Sequence, residues 1–218
     1  WRLLGGHRDR VPTYASGALW RDYDLRELAE TSHRLAAQGF GAMKLRLGNE
    51  ATVEAEVERL RAVREAVGPD VDVMVDINQT WTPSHAIAVG RRLQELGLFW
   101  LEDPVPHQDV GGLAEVARAL DVPVCAGEYH YGVAPLAGLL QARAVDILMV
   151  DGLRVGGLTQ WRKAAALAEA HHTPIVSHLM PEVLGHAVAA APNGLTVEFM
   201  PWSLPLFREG PRVEDGLL

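Results

Sequence analysis

Three short apolar runs in this chain end in an acid, and they do so at equal intervals. Val73-Met74-Val75-Asp76-Ile77-Asn78, Phe99-Trp100-Leu101-Glu102-Asp103-Pro104 and Val124-Cys125-Ala126-Gly127-Glu128 share this grammar, with Asp76, Glu102 and Glu128 spaced 26 residues apart. An interval of that length holds one strand, one helix and two loops, so each acid closes one unit of a repeating βα array. In a parallel barrel the three strands are neighbours and point their carboxyl ends at one face. The carboxylates then converge on a small volume, where their repulsion calls for a cation. An all-oxygen set with room for waters suits Mg²⁺ better than Zn²⁺. Any one acid alone could instead cap the helix that follows it; three in register argue against that.

The rest of the chain extends the array. Val11 to Ser16 reads as a first strand ending in a Ser16-Gly17 turn. Leu25 to Gln38 carries Leu25, Leu28, Ala29, Leu35 and Ala36 at helical period, and Gly39 ends it. Ala42 to Leu47 is a second strand, followed by a helix from about Ala51 to Val67 that Gly68-Pro69 stops. Pro83 opens the helix after the third strand. Strands over Phe99–Glu102, Val124–Ala126, Ile147–Asp151, Pro174–His178 and Leu195–Phe199 alternate with helices near 110–120, 134–141, 158–171 and 182–191. Val-, Ile- and Leu-rich runs alternating with helices indicate parallel strands buried on both faces. The expectation is an α/β fold, a TIM-type (β/α)₈ or (β/α)₇β barrel over residues 1–200. A Pro-rich tail over 201–218 is expected to pack on something else.

Composition excludes several classes. Hydrophobic residues make up 48% of 218, enough for a sizeable core, and no apolar run approaches membrane-span length. The net charge is −8 with basic residues scattered, which argues against nucleic acid or an anionic membrane as partner. The single cysteine, Cys125, lies in a strand and can form no internal disulfide, so a cytoplasmic protein is expected. The start at Trp1 leads to the expectation of a further N-terminal region upstream. A homo-oligomer is the expected assembly.

Nearly every strand ends in a polar side chain: Lys44 and Arg46, Asp76 and Asn78, Glu102, Glu128, Asp151, His178 and Glu198. Residues at these ends of barrel strands read as catalytic. Together with Lys44-Leu45-Arg46, Asp76-Ile77-Asn78, Glu102-Asp103-Pro104, Gly127-Glu128, Asp151-Gly152-Leu153-Arg154-Val155-Gly156-Gly157, Ser177-His178-Leu179 and Val197-Glu198, the chain resembles the barrel domain of the enolase superfamily, and within it the mandelate racemase subgroup. The resemblance spans essentially the whole chain. It implies a separate N-terminal α+β capping domain, absent from these residues, that closes over the barrel mouth.

The resemblance implies roles residue by residue. Asp76, Glu102 and Glu128 correspond to Mg²⁺ ligands, and Lys44 to the cation that neutralises a substrate carboxylate. His178, oriented by Asp151, corresponds to the general base that removes the α-proton to give an enediolate. Glu198 corresponds to a protonated acid donating to a carboxylate oxygen, and Asn78 to a further polar contact. The chemistry needs such a set in its own right, because a proton α to a carboxylate is very weakly acidic and the developing charge must be stabilised.

Arg46 departs from the pattern, since racemases of the subgroup carry a second lysine there. Arginine is protonated at any accessible pH and is a poor general base, so Arg46 reads as a salt bridge or carboxylate clamp. With one good base, β-elimination of water from a hydroxy (sugar) acid fits better than racemisation. A racemase or epimerase is the alternative within the fold. A metal-dependent hydrolase barrel would carry His-x-His on the first strand, where this chain has Tyr14-Ala15-Ser16. A non-catalytic scaffold barrel would show erosion of the strand-end residues, which are all present. Tyr129, His130 and Tyr131 are weak candidates for the pocket wall, while His107, His171 and His172 read as loop or solvated residues.

Overall fold

Each apolar run becomes a strand and each helical pattern a helix, and most helix starts carry a local signal. In a computed structural model describing residues 1–218, Asp24 and Glu27 form a reciprocal capping box at the start of the first helix. Thr52, Thr82 and Asp109 each accept a backbone N–H as caps, and Pro83 occupies a first-turn position. The order is β1 (Thr13–Leu19), α1 (Leu25–Ala37), β2 (Ala42–Arg46), α2 (Val53–Val67), β3 (Asp72–Asp76), α3 (Pro83–Gln94), β4 (Leu98–Glu102), α4 (Val110–Ala119), β5 (Val124–Ala126), α5 (Ala134–Gln141), β6 (Ile147–Asp151), α6 (Leu158–Ala170), β7 (Ile175–His178), α7 (Pro181–Ala190) and β8 (Val197–Phe199). This is a (β/α)₇β barrel.

The eight strands are hydrogen-bonded in the order β7-β6-β5-β4-β3-β2-β1-β8, and every named pair is parallel. The seam between β7 and β8 is closed more sparsely. Leu195 N–H donates to the Ile175 carbonyl at 2.8 Å, and the Glu198 N–H donates to Ser177 Oγ at 3.0 Å. A side-chain hydroxyl thus replaces a ladder partner where the two strands splay.

Two apolar layers result. Leu45, Val75, Leu101 and Val150 face outward into the layer beneath the helices, where they meet residues such as Leu60, Val89 and Trp161. Tyr14, Met74, Trp100, Cys125, Ile147, Met149 and Val176 fill the barrel itself. Tyr14 and Trp100 pack edge to face, with centroids 5.3 Å apart. They floor the site above them. Truncating a buried side chain of this size costs about 3–5 kcal/mol.

Three expectations need correction. The Ser16-Gly17 pair does not end β1 but bulges it: Gly17 has φ +75°, and the register against β2 shifts between Ala15 and Leu19. In α1 the apolar stripe is narrower than its sequence pattern, since Leu28 is buried while Leu25 is 46% exposed. The tail packs on its own barrel. Val11 and Leu218 exchange backbone hydrogen bonds at 2.8 and 3.2 Å, and Thr13 N–H donates to the Gly216 carbonyl at 2.9 Å. Leu218 also lies against Gly185 of α7 and Asp215 beside Gly39 after α1. The tail therefore takes the outer position between α7 and α1 that an eighth helix would fill. No helix is long and apolar enough to cross a membrane.

Candidate active site

Strand register assembles the site. Arg46 pairs with Asp76 and Asp76 with Glu102, which sets all three in one row across β2, β3 and β4. Asp151 pairs with His178 across β6 and β7, and Tyr14 with Glu198 across β1 and β8. Glu128 lies beyond the end of β5, after a turn at Gly127 (φ +133°). A Cβ at Gly127 would sit 2.5 Å from the Met149 carbonyl oxygen, so glycine is what lets the chain turn there.

The acidic side is densely buried. Lys44 Nζ lies 2.5 Å from Glu102 Oε1, 2.9 Å from Glu198 Oε1 and 3.9 Å from Asp76 Oδ2. Burial opposes the Lys44 charge, but Glu102 and Glu198 outweigh it and hold the amine well above its usual value. Trp100 Nε1 donates to Glu102 Oε2 at 2.9 Å. Glu102, Asp103 and Glu128 are all pushed up, first by burial and then by one another, with Lys44 and His178 only partly offsetting this. Each of these three offers an oxygen within 4.8 Å of the others. Asp76 is held differently. Its Oδ1 accepts the Asn78 N–H at 2.7 Å, and its Oδ2 accepts Asn78 Nδ2 at 2.9 Å and the Arg46 guanidinium.

This donor set suits a hard divalent cation: all oxygen, crowded with negative charge, and with the buried acceptors Asp103 Oδ2 and Glu128 Oε2 making no hydrogen bond. Glu102, Asp103 and Glu128 bring their oxygens close enough to share such an ion, while Asp76 adjoins Glu102 in the same row.

On the opposite side, His178 Nδ1 is 2.7 Å from Asp151 Oδ2, while Nε2 faces Glu128 Oε2 at 3.1 Å without hydrogen-bond alignment. Asp151 Oδ1 accepts the N–H groups of Leu153 and Arg154, each at 2.8 Å. Burial lowers the His178 pKa, but Asp151 and Glu128 outweigh it and the net shift is upward. Glu198 is ringed by donors. Burial alone would raise it, yet Lys44, His178 and the Leu179 N–H at 2.7 Å bring it down to about 2. Ser16 Oγ donates to it as well, at 2.7 Å.

Several residues escaped the sequence reading. Arg21, in the loop after β1, donates to the carbonyls of Leu47 (2.5 Å) and Ile77 (2.8 Å) and to Asn78 Oδ1 (2.9 Å), tying three strand ends together. Arg46 Nη1 meets the same Asn78 oxygen at 3.0 Å. Nothing around Trp20-Arg21-Asp22 marks this position; it is found only once β1 bulges. Arg154 donates to the Glu128 carbonyl at 3.0 Å and lies over the Tyr129 ring. Asp103 and Arg154 stood inside matched motifs without a role, and Ser16 stood at the supposed turn. Tyr129 does reach the site, 3.4 Å from Asn78 Nδ2, and stacks on His107, which in turn meets His130 edge-on. Tyr131, His171 and His172 are exposed.

Residues 25–218 match the family model described as Enolase C-terminal domain-like. The chain belongs to this family. As an enolase-type barrel it is 34% identical over 215 residues to L-talarate/galactarate dehydratase of Salmonella typhimurium LT2, covering 99% of this chain and 54% of that enzyme. A crystal structure of that enzyme liganded with Mg and L-lyxarohydroxamate superposes with a TM-score of 0.95 at 34% identity, covering 99% of this chain and 55% of the other. Arabinonate dehydratase of Saccharolobus solfataricus is 32% identical over 227 residues, covering 100% of this chain and 61% of the relative. A mandelate racemase/muconate lactonizing enzyme from Polaromonas sp. JS666 superposes with a TM-score of 0.95 at 33% identity, over 99% of this chain and 59% of that one. The chain thus spans little more than half the length of these relatives.

Proposed function

We propose that this enolase-type barrel serves Mg²⁺-dependent abstraction of the proton α to a carboxylate, followed by loss of a β-hydroxyl: dehydration of a hydroxy (sugar) acid. The observation that carries the reading is the one-sided placement of base. His178 with Asp151 stands on one side of the acid cluster, and the residue where a second base would sit, Arg46, is bound to Asp76 and Asn78.

Bound on Asp76, Glu102 and Glu128, the ion would supply positive charge to a substrate carboxylate and to the charge that develops as the α-proton leaves. Lys44 adds a second cation on the same side, kept protonated by Glu102 and Glu198. Asp151 takes the Nδ1 proton of His178 as a hydrogen bond, which leaves Nε2 as the basic nitrogen. Nε2 takes the α-proton, and the imidazolium returns it to the departing hydroxyl, which leaves as water. The enol that remains tautomerises to a keto-deoxy acid. Arg46 stays protonated and cannot deliver a proton to the other face. Exposed Tyr131, Leu153 and Trp202, in the loops after β5, β6 and β8, are the surface that a capping domain would cover and that would keep water from the mouth.

The test is a screen of the protein against acid sugars before and after chelation. Turnover to a keto-deoxy acid should vanish with EDTA and return with Mg²⁺. Undiminished turnover in a metal-free preparation would contradict the reading.

A further inference from the structure

Asp103 follows Glu102 directly and has no task in the chemistry above, yet its side chain is placed as though it had one. The residue is 2% exposed, and its Oδ2 is buried without any hydrogen-bond partner. Its backbone is in the left-handed region (φ +39°), pinned on both sides: the Asp103 N–H donates to the Cys125 carbonyl at 2.9 Å and its carbonyl accepts the Gln79 N–H at 2.7 Å. Aspartate tolerates that conformation better than most side chains, though at some cost. The turn delivers a carboxylate oxygen to within 4.8 Å of oxygens from both Glu102 and Glu128.

A buried, unpartnered carboxylate between two others is unfavourable by any route the protein itself supplies. Lys44 is already engaged with Glu102 and Glu198, and Arg46 with Asp76. Arg154 reaches Glu128, at 3.7 Å, and lies over Tyr129. No cation of the chain is left for Asp103, so the charge balance must come from outside the chain.

We infer that Asp103 is a fourth carboxylate of the cation site, acting with Glu102 and Glu128 to set how tightly the ion is held. The inference rests on the metal reading given under Proposed function. Affinity at hard-cation sites follows the number of charged oxygen ligands and the rigidity of the site, and Asp103 adds one such ligand on a pinned backbone. It is an affinity and positioning residue rather than a partner of the reacting atoms. Its conservative replacement, Asp103→Asn, keeps the shape and removes the charge.

The experiment is Mn²⁺ binding to the purified protein, read as the loss of free-ion signal in electron paramagnetic resonance, with Mg²⁺ as competitor and thermal melting of the metal-free protein alongside. Wild type should bind one Mn²⁺ that Mg²⁺ displaces, and Asp103→Asn should weaken the Mn²⁺ dissociation constant by about tenfold or more, in the range seen for groups that support metal ligands. The metal-free variant should melt at or above the wild-type temperature, because a repulsive buried charge has gone. Asp103→Glu, which restores the charge, should recover part of the affinity. An Asp103→Asn protein that melts normally and binds Mn²⁺ as tightly as wild type overturns this inference while leaving the metal site intact. A wild-type protein that binds no Mn²⁺ overturns the metal reading itself, and this inference with it.

Discussion

Two sets of acids share this barrel mouth and titrate in opposite directions. Glu102 and Glu198 are both fully buried and both touch Lys44, yet Glu102 is pushed well up and Glu198 is held down at about 2. Burial raises each of them. The difference lies in the neighbours. Glu102 has Asp76, Glu128 and Glu198 around it, against Lys44 and the Trp100 indole. Glu198 has Lys44, Ser16 Oγ, the Leu179 N–H and the His178 ring. Asp151 belongs with Glu198: burial raises it, but the His178 hydrogen bond and two backbone N–H groups bring it below its ordinary value. On the β3–β5 side Lys44 and Arg46 match only part of the negative charge, and on the β6–β8 side each acid is matched closely. An unmatched cluster is a place for a cation, and a matched one is a place for a proton relay.

Removing the base should separate the two sides most sharply. His178→Asn should lower turnover of every substrate by about 10²–10⁴-fold, the usual cost of losing a general base, while Mn²⁺ binding on the acidic side stays within a few-fold of wild type. Equal loss of both would mean that the two sides are one unit.

A smaller effect is expected on stability. Glu102, Asp103 and Glu128 have raised values when folded, so they bind protons more tightly folded than unfolded and weaken folding as pH rises. His178 is raised from 6.5, so its contribution is present below that value and is lost as pH rises through the folded one. Glu198 and Asp151 are depressed, and their contributions are lost only as pH falls below about 4.5 and about 3.8, toward the folded values. The metal-free protein should therefore melt at a higher temperature at about pH 5.5 than at about pH 8, and saturating Mg²⁺ should shrink that difference. A metal-free Tm that rises with pH over this interval would place the unmatched charge elsewhere.

The array of strands was legible because burial on both faces leaves each strand as an apolar run and each turn as a Gly, Pro or capping residue. The row Arg46, Asp76, Glu102 and the pair Asp151 and His178 were legible for the same reason: one acid or base per strand end, at fixed spacing, needs only the barrel to bring them together. What stayed hidden depended on backbone detail. A bulge at Gly17 sets the course of β1 into the loop that carries Arg21, and nothing in the period-two pattern announces it. Asp103 shares a motif with Glu102, and only a left-handed turn shows that both face inward. The tail reads as Pro-rich, yet it closes the outer layer through backbone hydrogen bonds to Val11 and Thr13, which side-chain patterns do not report. The donors around Glu198 were hidden too, since they come from β1, β2 and the loop after β7.

With His178 as the single base and Arg46 locked as a cation, protons should leave and arrive on one face only. Turnover of an active acid sugar in D₂O, stopped before completion, reads out which face exchanges. One-face chemistry predicts a keto-deoxy acid product and recovered substrate whose α-carbon keeps its original configuration. Recovered substrate of inverted α-configuration carrying deuterium at that carbon would contradict it, and would make this barrel a two-base racemase or epimerase.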